Sequence, residues 1–271
     1  MKSIFALLLM VCMGSCKHLP KEKLKQLRLT HKTEIINDSL SIFITNPLPS
    51  ILQVTAKDKQ NQLTTYLDTA FPVLLAPFQD SVFSINISAT QEEPIITFSS
   101  VFGNPLDTFR LKSLEYPFPH GRKYKIIQGY NGKFSHNATY SRYALDFSLG
   151  VGDTICAAAG GFVVGVIDGY TYGGKDRKWR DYANFITLYH PDMNILTQYV
   201  HLVKNGSLVE VGDTVLSGQK IAISGETGFT TIPHLHFNVI YIGEAGARSI
   251  PAEFENGVLG KELRRGQYVS H

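Results

Sequence analysis

The chain has 271 residues, of which 44% are hydrophobic and 18% charged, and a formal net charge of +3. That balance suits a folded protein of one large or two modest domains and excludes a disordered or strongly polyionic chain. The mild basicity, with no basic run along the sequence, gives no ground for a nucleic-acid partner.

The first segment stands apart. Lys2 is followed by an apolar run from Ile4 to Met13 and then Gly14-Ser15-Cys16. A positive start, about ten apolar residues and small residues before a cysteine read as a secretory signal. The run is too short to span a bilayer, which takes about 20 apolar residues. The small residues before Cys16 resemble the bacterial lipoprotein cleavage box. That resemblance implies a signal peptide over 1–15 and a lipidated Cys16 that anchors the exported chain to a membrane of the bacterial cell envelope, on its periplasmic or surface side. An ordinary secretory signal cut near the same place is the alternative.

Cys12 lies in the signal and Cys16 at its end, so Cys156 is the one cysteine of the body. Within Ile155-Cys156-Ala157-Ala158-Ala159 it reads as a buried small hydrophobe, with no second body cysteine for a disulfide. Asn37, Asn86, Asn137 and Asn205 each begin an Asn-X-Ser/Thr triplet, which in a bacterial lipoprotein is a chance match. Residues 16–30, with Lys17-His18 and Lys21-Glu22-Lys23-Leu24-Lys25, read as a polar tether that lifts the folded part off the membrane.

Residues 31–113 show short alternating strands. Leu40, Ile42 and Ile44 alternate with Ser39, Ser41 and Phe43; Phe83, Ile85 and Ile87 alternate with Ser84, Asn86 and Ser88; and Ile95-Ile96-Thr97-Phe98 adds another strand. Asn46-Pro47-Leu48-Pro49 and Gly103-Asn104-Pro105 supply turns. The spacing predicts a small β-sandwich without catalytic clusters, a spacer or binding module.

From Tyr116-Pro117-Phe118-Pro119 onward, within residues 114–271, glycines multiply and strands continue: Gly161 to Ile167, Phe185 to Tyr189, Thr197 to Leu202, Gln219 to Ser224 and His234 to Ile240. No amphipathic helix separates them, so this part too is all-β. Val151-Gly152-Asp153-Thr154 is echoed by Val211-Gly212-Asp213-Thr214, two tight corners that suggest related halves of a folded sheet.

Polar groups with chemical promise come from four segments. Ser135-His136 ends a glycine-rich turn, Asp146 sits inside Tyr143-Ala144-Leu145-Asp146-Phe147, and His201 lies in Tyr199-Val200-His201-Leu202. Pro233-His234-Leu235-His236-Phe237 holds two histidines that a strand would point to one side, with Leu235 and Phe237 to the other. Asp146 could pair with a cation such as Arg142, and His201 could be a structural strand histidine. A buried carboxylate is costly unless paired or metal-bound. Two imidazoles and a carboxylate with one open position make a catalytic zinc site, and two further histidines nearby could move protons.

Residues about 120–250 resemble the lysostaphin-type zinc metalloendopeptidases, which cut peptide cross-links of bacterial peptidoglycan. The matching stretches are Ser135-His136, Tyr143 to Phe147 with Gly152-Asp153-Thr154, Tyr199 to Leu202, Gly212-Asp213-Thr214-Val215 with Gly218-Gln219, and Ser224-Gly225-Glu226-Thr227-Gly228 leading to Pro233 to Phe237. The resemblance implies one zinc ion held by His136, Asp146 and His236, with His201 and His234 as the catalytic pair. It implies hydrolysis by a zinc-bound water, one histidine aiding deprotonation and the other serving the oxyanion and the leaving amine. Which histidine does which stays open, as does a regulatory envelope partner. The spacing departs from the common His-X-X-X-Asp, since nine residues separate His136 from Asp146; the longer form with Tyr-Ala-Leu-Asp-Phe is a subtype of the family.

His31, His120, His190 and His271 read as surface residues, and His18 as part of the tether. The loop from Tyr170 to Asn184 carries Tyr172, Lys175, Arg177, Lys178, Trp179, Arg180 and Tyr182. It reads either as a wall for sugars or acidic stem peptides or as a solvated hairpin with a packed tryptophan. Two other functions compete with the peptidase: a non-catalytic envelope protein of this fold that binds or activates a cell-wall hydrolase, and an iron oxygenase built on the same two-histidine, one-carboxylate triad.

Overall fold

The computed structural model describes residues 20, 22–26, 29–87 and 93–271. The signal segment, Cys16, His18 and part of the tether lie outside the described residues. Among those described, no helix is long and apolar enough to cross a membrane.

The N-terminal part consists of two three-stranded antiparallel sheets. One joins β1 (Thr30–Ile36), β2 (Ser39–Thr45) and β5 (Asp80–Asn86); the other joins β4 (Val73–Leu75), β3 (Leu52–Asp58) and β6 (Ile96–Phe102). The alternation in β2 places Leu40, Ile42 and Ile44 in a core with Leu52, Val54 and Leu75. One short helix, α1 (Thr64–Ala70), has no counterpart in the sequence pattern. At seven residues it shows hardly one apolar period, Leu63 with Leu67. Asp58 sets up the turn before it by accepting the amides of Gln60, Gln62 and Leu63.

The C-terminal part is built on a nine-stranded sheet. Its path runs through β10 (Gly161–Ile167), β12 (Phe185–His190), β13 (Ile195–Val200), β18 (Leu235–Gly243), β8 (Leu145–Phe147) and β7 (Tyr124–Gln128). A three-stranded sheet of β14 (Leu202–Ser207), β16 (Lys220–Ser224) and β9 (Thr154–Cys156) covers one face. Between them lie Phe147, Tyr199, Leu235, Phe237, Ile155, Leu202 and Ile221. Apart from short parallel contacts the sheets are antiparallel, and the chain is all-β as expected. The two Val-Gly-Asp-Thr corners have the same build: Gly152 and Gly212 have φ of 94° and 102°, and the following aspartate accepts the amide three residues before it, at 2.8 Å in both.

The opposite face of the large sheet is divided between two uses. Along paired β13 and β18 the same face presents Leu196 opposite Ile240, then Gln198 opposite Asn238, then Val200 opposite His236. Leu196 and Ile240, with Val164 and Tyr189, are buried in the core of the N-terminal sheets. The row ending at Val200 and His236 faces an open cleft. The N-terminal part is therefore packed onto the sheet that carries the cleft, four residues along the same strands.

The described end of the tether is also laid on this body. The Leu24 amide donates to the Tyr170 hydroxyl at 2.6 Å, the Val166 amide donates to the Gln26 carbonyl at 3.3 Å, and Lys23 pairs with Asp181. Bare glycines make this possible, since a Cβ at Gly165 or Gly169 would meet Gln26 or Leu24.

Two histidines differ from the expected surface placement. His190 is the last residue of β12, and its ring turns inward to contact the Gly160 carbonyl and the Thr197 hydroxyl, each at 2.8 Å. Burial pushes its pKa down to about 4 against the pull of the Gly160 carbonyl. His271 is brought back by the pairing of residues 268–269 with β7, and its ring lies buried, donating to the Phe118 carbonyl at 2.7 Å beside Glu255. His31 and His120 are exposed. Cys156 is buried, and burial pushes its thiol up to about 11.

Candidate active site

His136, Asp146 and His236 come from a turn and two adjacent strands. Asp146 in β8 lies directly opposite His236 in β18, so alternation sends both side chains to the cleft face while Leu145, Phe147, Leu235 and Phe237 enter the core. His136 arrives on the glycine-rich turn after β7. Its Nδ1–H donates to the Gly129 carbonyl at 2.9 Å, which leaves the lone pair of Nε2 facing inward. That Nε2 lies 3.1 Å from Asp146 Oδ1 and 3.1 Å from His236 Nδ1, and the last two are 2.9 Å apart. His136 and Asp146 are almost fully buried.

Three ligand-type atoms within about 3 Å of one another hold more lone pairs than protons can bridge. His236 can donate one proton, and His136 has spent its own on Gly129. Such crowding is the face of a coordination tetrahedron, two imidazole nitrogens and a carboxylate oxygen, with room for a fourth ligand from the cleft. The donor set fits zinc. Asp146 does not pair with Arg142, whose guanidinium instead reaches the Thr139 hydroxyl at 3.4 Å. In the metal-free protein burial opposes the charge of Asp146, but His234 and His136 outweigh it and hold the carboxyl well below the usual range. Burial likewise opposes protonation of His136, yet Asp146 outweighs it and raises the pKa, whereas burial lowers that of His236.

Gln128 braces the triad and has no warning in the sequence beyond its place before Gly129. Its amide nitrogen donates to Asp146 Oδ2 at 3.0 Å and to the Ser135 hydroxyl at 2.7 Å. It thereby ties the carboxylate to the turn that carries His136. Gly132 lacks a side chain for a reason here: a Cβ would collide with the Gln128 side chain.

His201 and His234 stand beside the triad, their rings 4.5 Å apart. His234 precedes β18, and its Nδ1–H is shared by the Ile232 carbonyl at 2.8 Å and the Thr230 hydroxyl at 3.1 Å. Its Nε2 is 3.8 Å from Asp146 Oδ2. His201 donates from Nδ1 to the Thr227 carbonyl at 2.6 Å. Both rings therefore keep Nε2 as the free nitrogen. Burial, then the nearby His234 and His236, holds the His201 pKa well below the ordinary imidazole value, so it is neutral at pH 7 and can accept a proton.

The expected strand from Thr197 to Leu202 breaks at His201. That residue has φ of 73°, which ends β13 and starts β14. A left-handed histidine is uncommon and persists only where its surroundings over-determine it. Asn184 does so. Its carbonyl accepts the amides of His201 and Leu202, its side chain bridges the main chain of Tyr170, Leu202 and Val203, and its amide donates to the Thr227 hydroxyl. Thr227 lies in a matched stretch without having drawn a role. Gly228 beside it has φ of 84° and is pressed against Ala183, where any side chain would clash.

The cleft in front of these groups measures about 630 Å³. Arg177, Arg180 and Asp181 from the 170–184 loop line it together with Ser135, Asn137, Tyr140 and Phe229. The loop both lines the cleft and packs its tryptophan. Trp179 stacks on Tyr172 at 6.0 Å and packs edge-on to Tyr182, while the arginines face the cleft.

Residues 140–247 match Peptidase family M23. These residues form an M23 peptidase domain. The domain resembles peptidoglycan DD-endopeptidase ShyB of Vibrio cholerae, at 33% identity over 127 residues, 45% of this chain and 27% of that protein. It is similar to lysostaphin of Staphylococcus simulans, at 36% identity over 97 residues, 35% of this chain and 17% of that protein. An uncharacterized metalloprotease of Haemophilus influenzae is 34% identical over 131 residues, 47% of this chain and 25% of that protein. The chain spans 30% and 25% of the length of the uncharacterized metalloproteases of Buchnera aphidicola and Haemophilus influenzae that it matches. Among solved structures, the catalytic domain of lysostaphin from Staphylococcus simulans covers 47% of this chain and 87% of its own, at 28% identity and a TM-score of 0.34. The M23 match begins after His136, and includes Asp146, His201, His234 and His236.

Proposed function

We propose that the protein is a zinc-dependent endopeptidase that hydrolyses peptide cross-links of bacterial peptidoglycan. The observation that carries this is the convergence of His136 Nε2, Asp146 Oδ1 and His236 Nδ1 at an open cleft lined by His236 and His201, with His234 beside His201. The names of the relatives, a peptidoglycan DD-endopeptidase and lysostaphin, support the substrate class. A zinc ion held by His136, Asp146 and His236 would supply a Lewis acid and would lower the pKa of a bound water toward about 7.

The chain's own residues have defined tasks in this scheme. His136, Asp146 and His236 are the ligands, and Gln128 and the Gly129 carbonyl orient them. His201 and His234, each with its Nδ1–H engaged, offer Nε2 to take a proton from the attacking water, to donate to the developing oxyanion once protonated, and to protonate the leaving amine. The resemblance of residues 1–16 to a lipoprotein signal supports export and anchoring through Cys16, which would place the domain against the wall.

Digestion of purified wall sacculi with and without chelator, with product masses identified, tests the proposal. New peptide ends that appear only with metal present are expected. Sacculi left intact by metal-loaded protein would refute it and favour a binding role.

A further inference from the structure

A second groove, of about 620 Å³, lies across the 129–135 turn from the cleft. Lys133, Lys261, Arg264 and Arg265 edge it, and Leu263 and Phe134 line it. Among the described residues none of these four cations is paired with a carboxylate, whereas Lys23, Lys112 and Lys178 elsewhere stand beside Asp181, Asp192 and Asp176. The acid of the same stretch, Glu262, is turned to the Leu259 amide at 3.3 Å. Lys261, Arg264 and Arg265 lie within five residues of one another, and the fold adds Lys133 from a distant segment.

The groove and the cleft share one wall. Gln128 and Gly129 line the groove and hold Asp146 and His136 on the other side. Phe134 of the groove stacks at 4.7 Å on Phe229 of the cleft. A chain leaving the cleft over these two rings enters among the cations. Arg177 and Arg180 line the cleft as well, the Arg180 guanidinium 6.0 Å from the Phe229 ring.

We propose that the groove binds carboxylates of the peptide strand whose amide lies in the cleft, making the preferred substrate an extended acidic peptide. The proposal rests on the endopeptidase function above. Guanidinium forks match carboxylates in pairs, and cations edging a hollow suit an inserted strand better than a flat anionic membrane.

The test uses the full chain and a K261Q/R264Q/R265Q variant, which touches no ligand or catalytic histidine. On native sacculi the variant is expected to show a KM raised about tenfold with kcat unchanged, the sum of three exposed ion pairs. On sacculi whose free carboxylates are converted to amides, the wild type should show the same rise and the variant no further one. At about 1 M salt, where screening acts within about 3 Å, the two proteins should converge. Equal KM values on native sacculi, or an equally large loss on amidated ones, overturn the proposal. A second arm needs no turnover: sedimentation with sacculi in the presence of chelator. If the wild type cleaves nothing, the endopeptidase function fails but this arm still decides the groove, and a variant that sediments as well as the wild type overturns it. So does a variant that loses anionic phospholipid vesicles while holding sacculi.

Discussion

The main-chain carbonyl of Asn184 accepts two amide protons, from His201 at 2.9 Å and from Leu202 at 3.2 Å. This double contact holds His201 at a positive φ and aims its ring, through the Thr227 carbonyl, at the cleft. Asn184 is itself fully buried and fixed by its side-chain bonds. Replacing it with alanine strands the amide and carbonyl of Tyr170 and removes a donor from the Val203 carbonyl, at a cost of about 2–3 kcal/mol. We expect Asn184→Ala to lower the denaturation midpoint and to reduce kcat at least about tenfold, with metal content unchanged. Thr227→Ser should retain activity. Wild-type kcat in Asn184→Ala would show that the Asn184 side chain is not needed to hold the carbonyl that positions His201.

The two histidines of β18 and its approach should separate on metal analysis. His236→Ala removes a ligand and should abolish zinc binding. His234→Ala should bind zinc and lose rate, and equal metal loss in both would contradict the division. Gln128→Ala frees Asp146 Oδ2, so zinc affinity should fall about 10–100-fold, as for other outer partners of metal ligands. Excess zinc should then restore much of its rate.

Buried His190 predicts an acid sensitivity unrelated to the metal. Its folded pKa is depressed from 6.5 to about 4. Between those values the unfolded chain takes up a proton that the folded one refuses. Its contribution is complete above pH 6.5, declines as the pH falls through this window and levels off below 4. The whole window amounts to roughly 3 kcal/mol. Denaturation at pH 7 and pH 4 should show wild type losing that much more stability than His190→Gln. Identical losses would mean that the ring is not held neutral.

The N-terminal sheets and the M23 domain should unfold together. Val164, Tyr189, Leu196 and Ile240 are at most 7% exposed, in a core made chiefly by residues 40–102. Deleting residues 1–113 uncovers this patch, and aggregation of the remainder is expected. Ile240→Asp should destabilise the whole chain by several kcal/mol, about the cost of an unpaired buried charge. Calorimetry should show one transition, and two well-separated ones would mean independent units.

Much of the strand pattern was legible. Alternation in residues 40–44 and the pairing of apolar Leu235 and Phe237 with polar His234 and His236 follow from a two-residue period. The four segments with candidate groups do meet at one cleft. Helix α1 was too short to show a period. His190 escaped because a histidine before Pro191-Asp192 looks like any turn residue until the opposite strand supplies Thr197.

The sequence by itself determined which faces of the strands are apolar, where the glycine corners fall and which side chains can bind metal. These are local properties, set by backbone period and side-chain chemistry. Only the tertiary structure decided that His201 leaves the strand, that Gln128 and Asn184 hold the site from behind, and that Lys133 joins Lys261, Arg264 and Arg265 around one groove. Each of these depends on hydrogen bonds or charges brought together from segments distant in the chain, and no local pattern encodes such meetings.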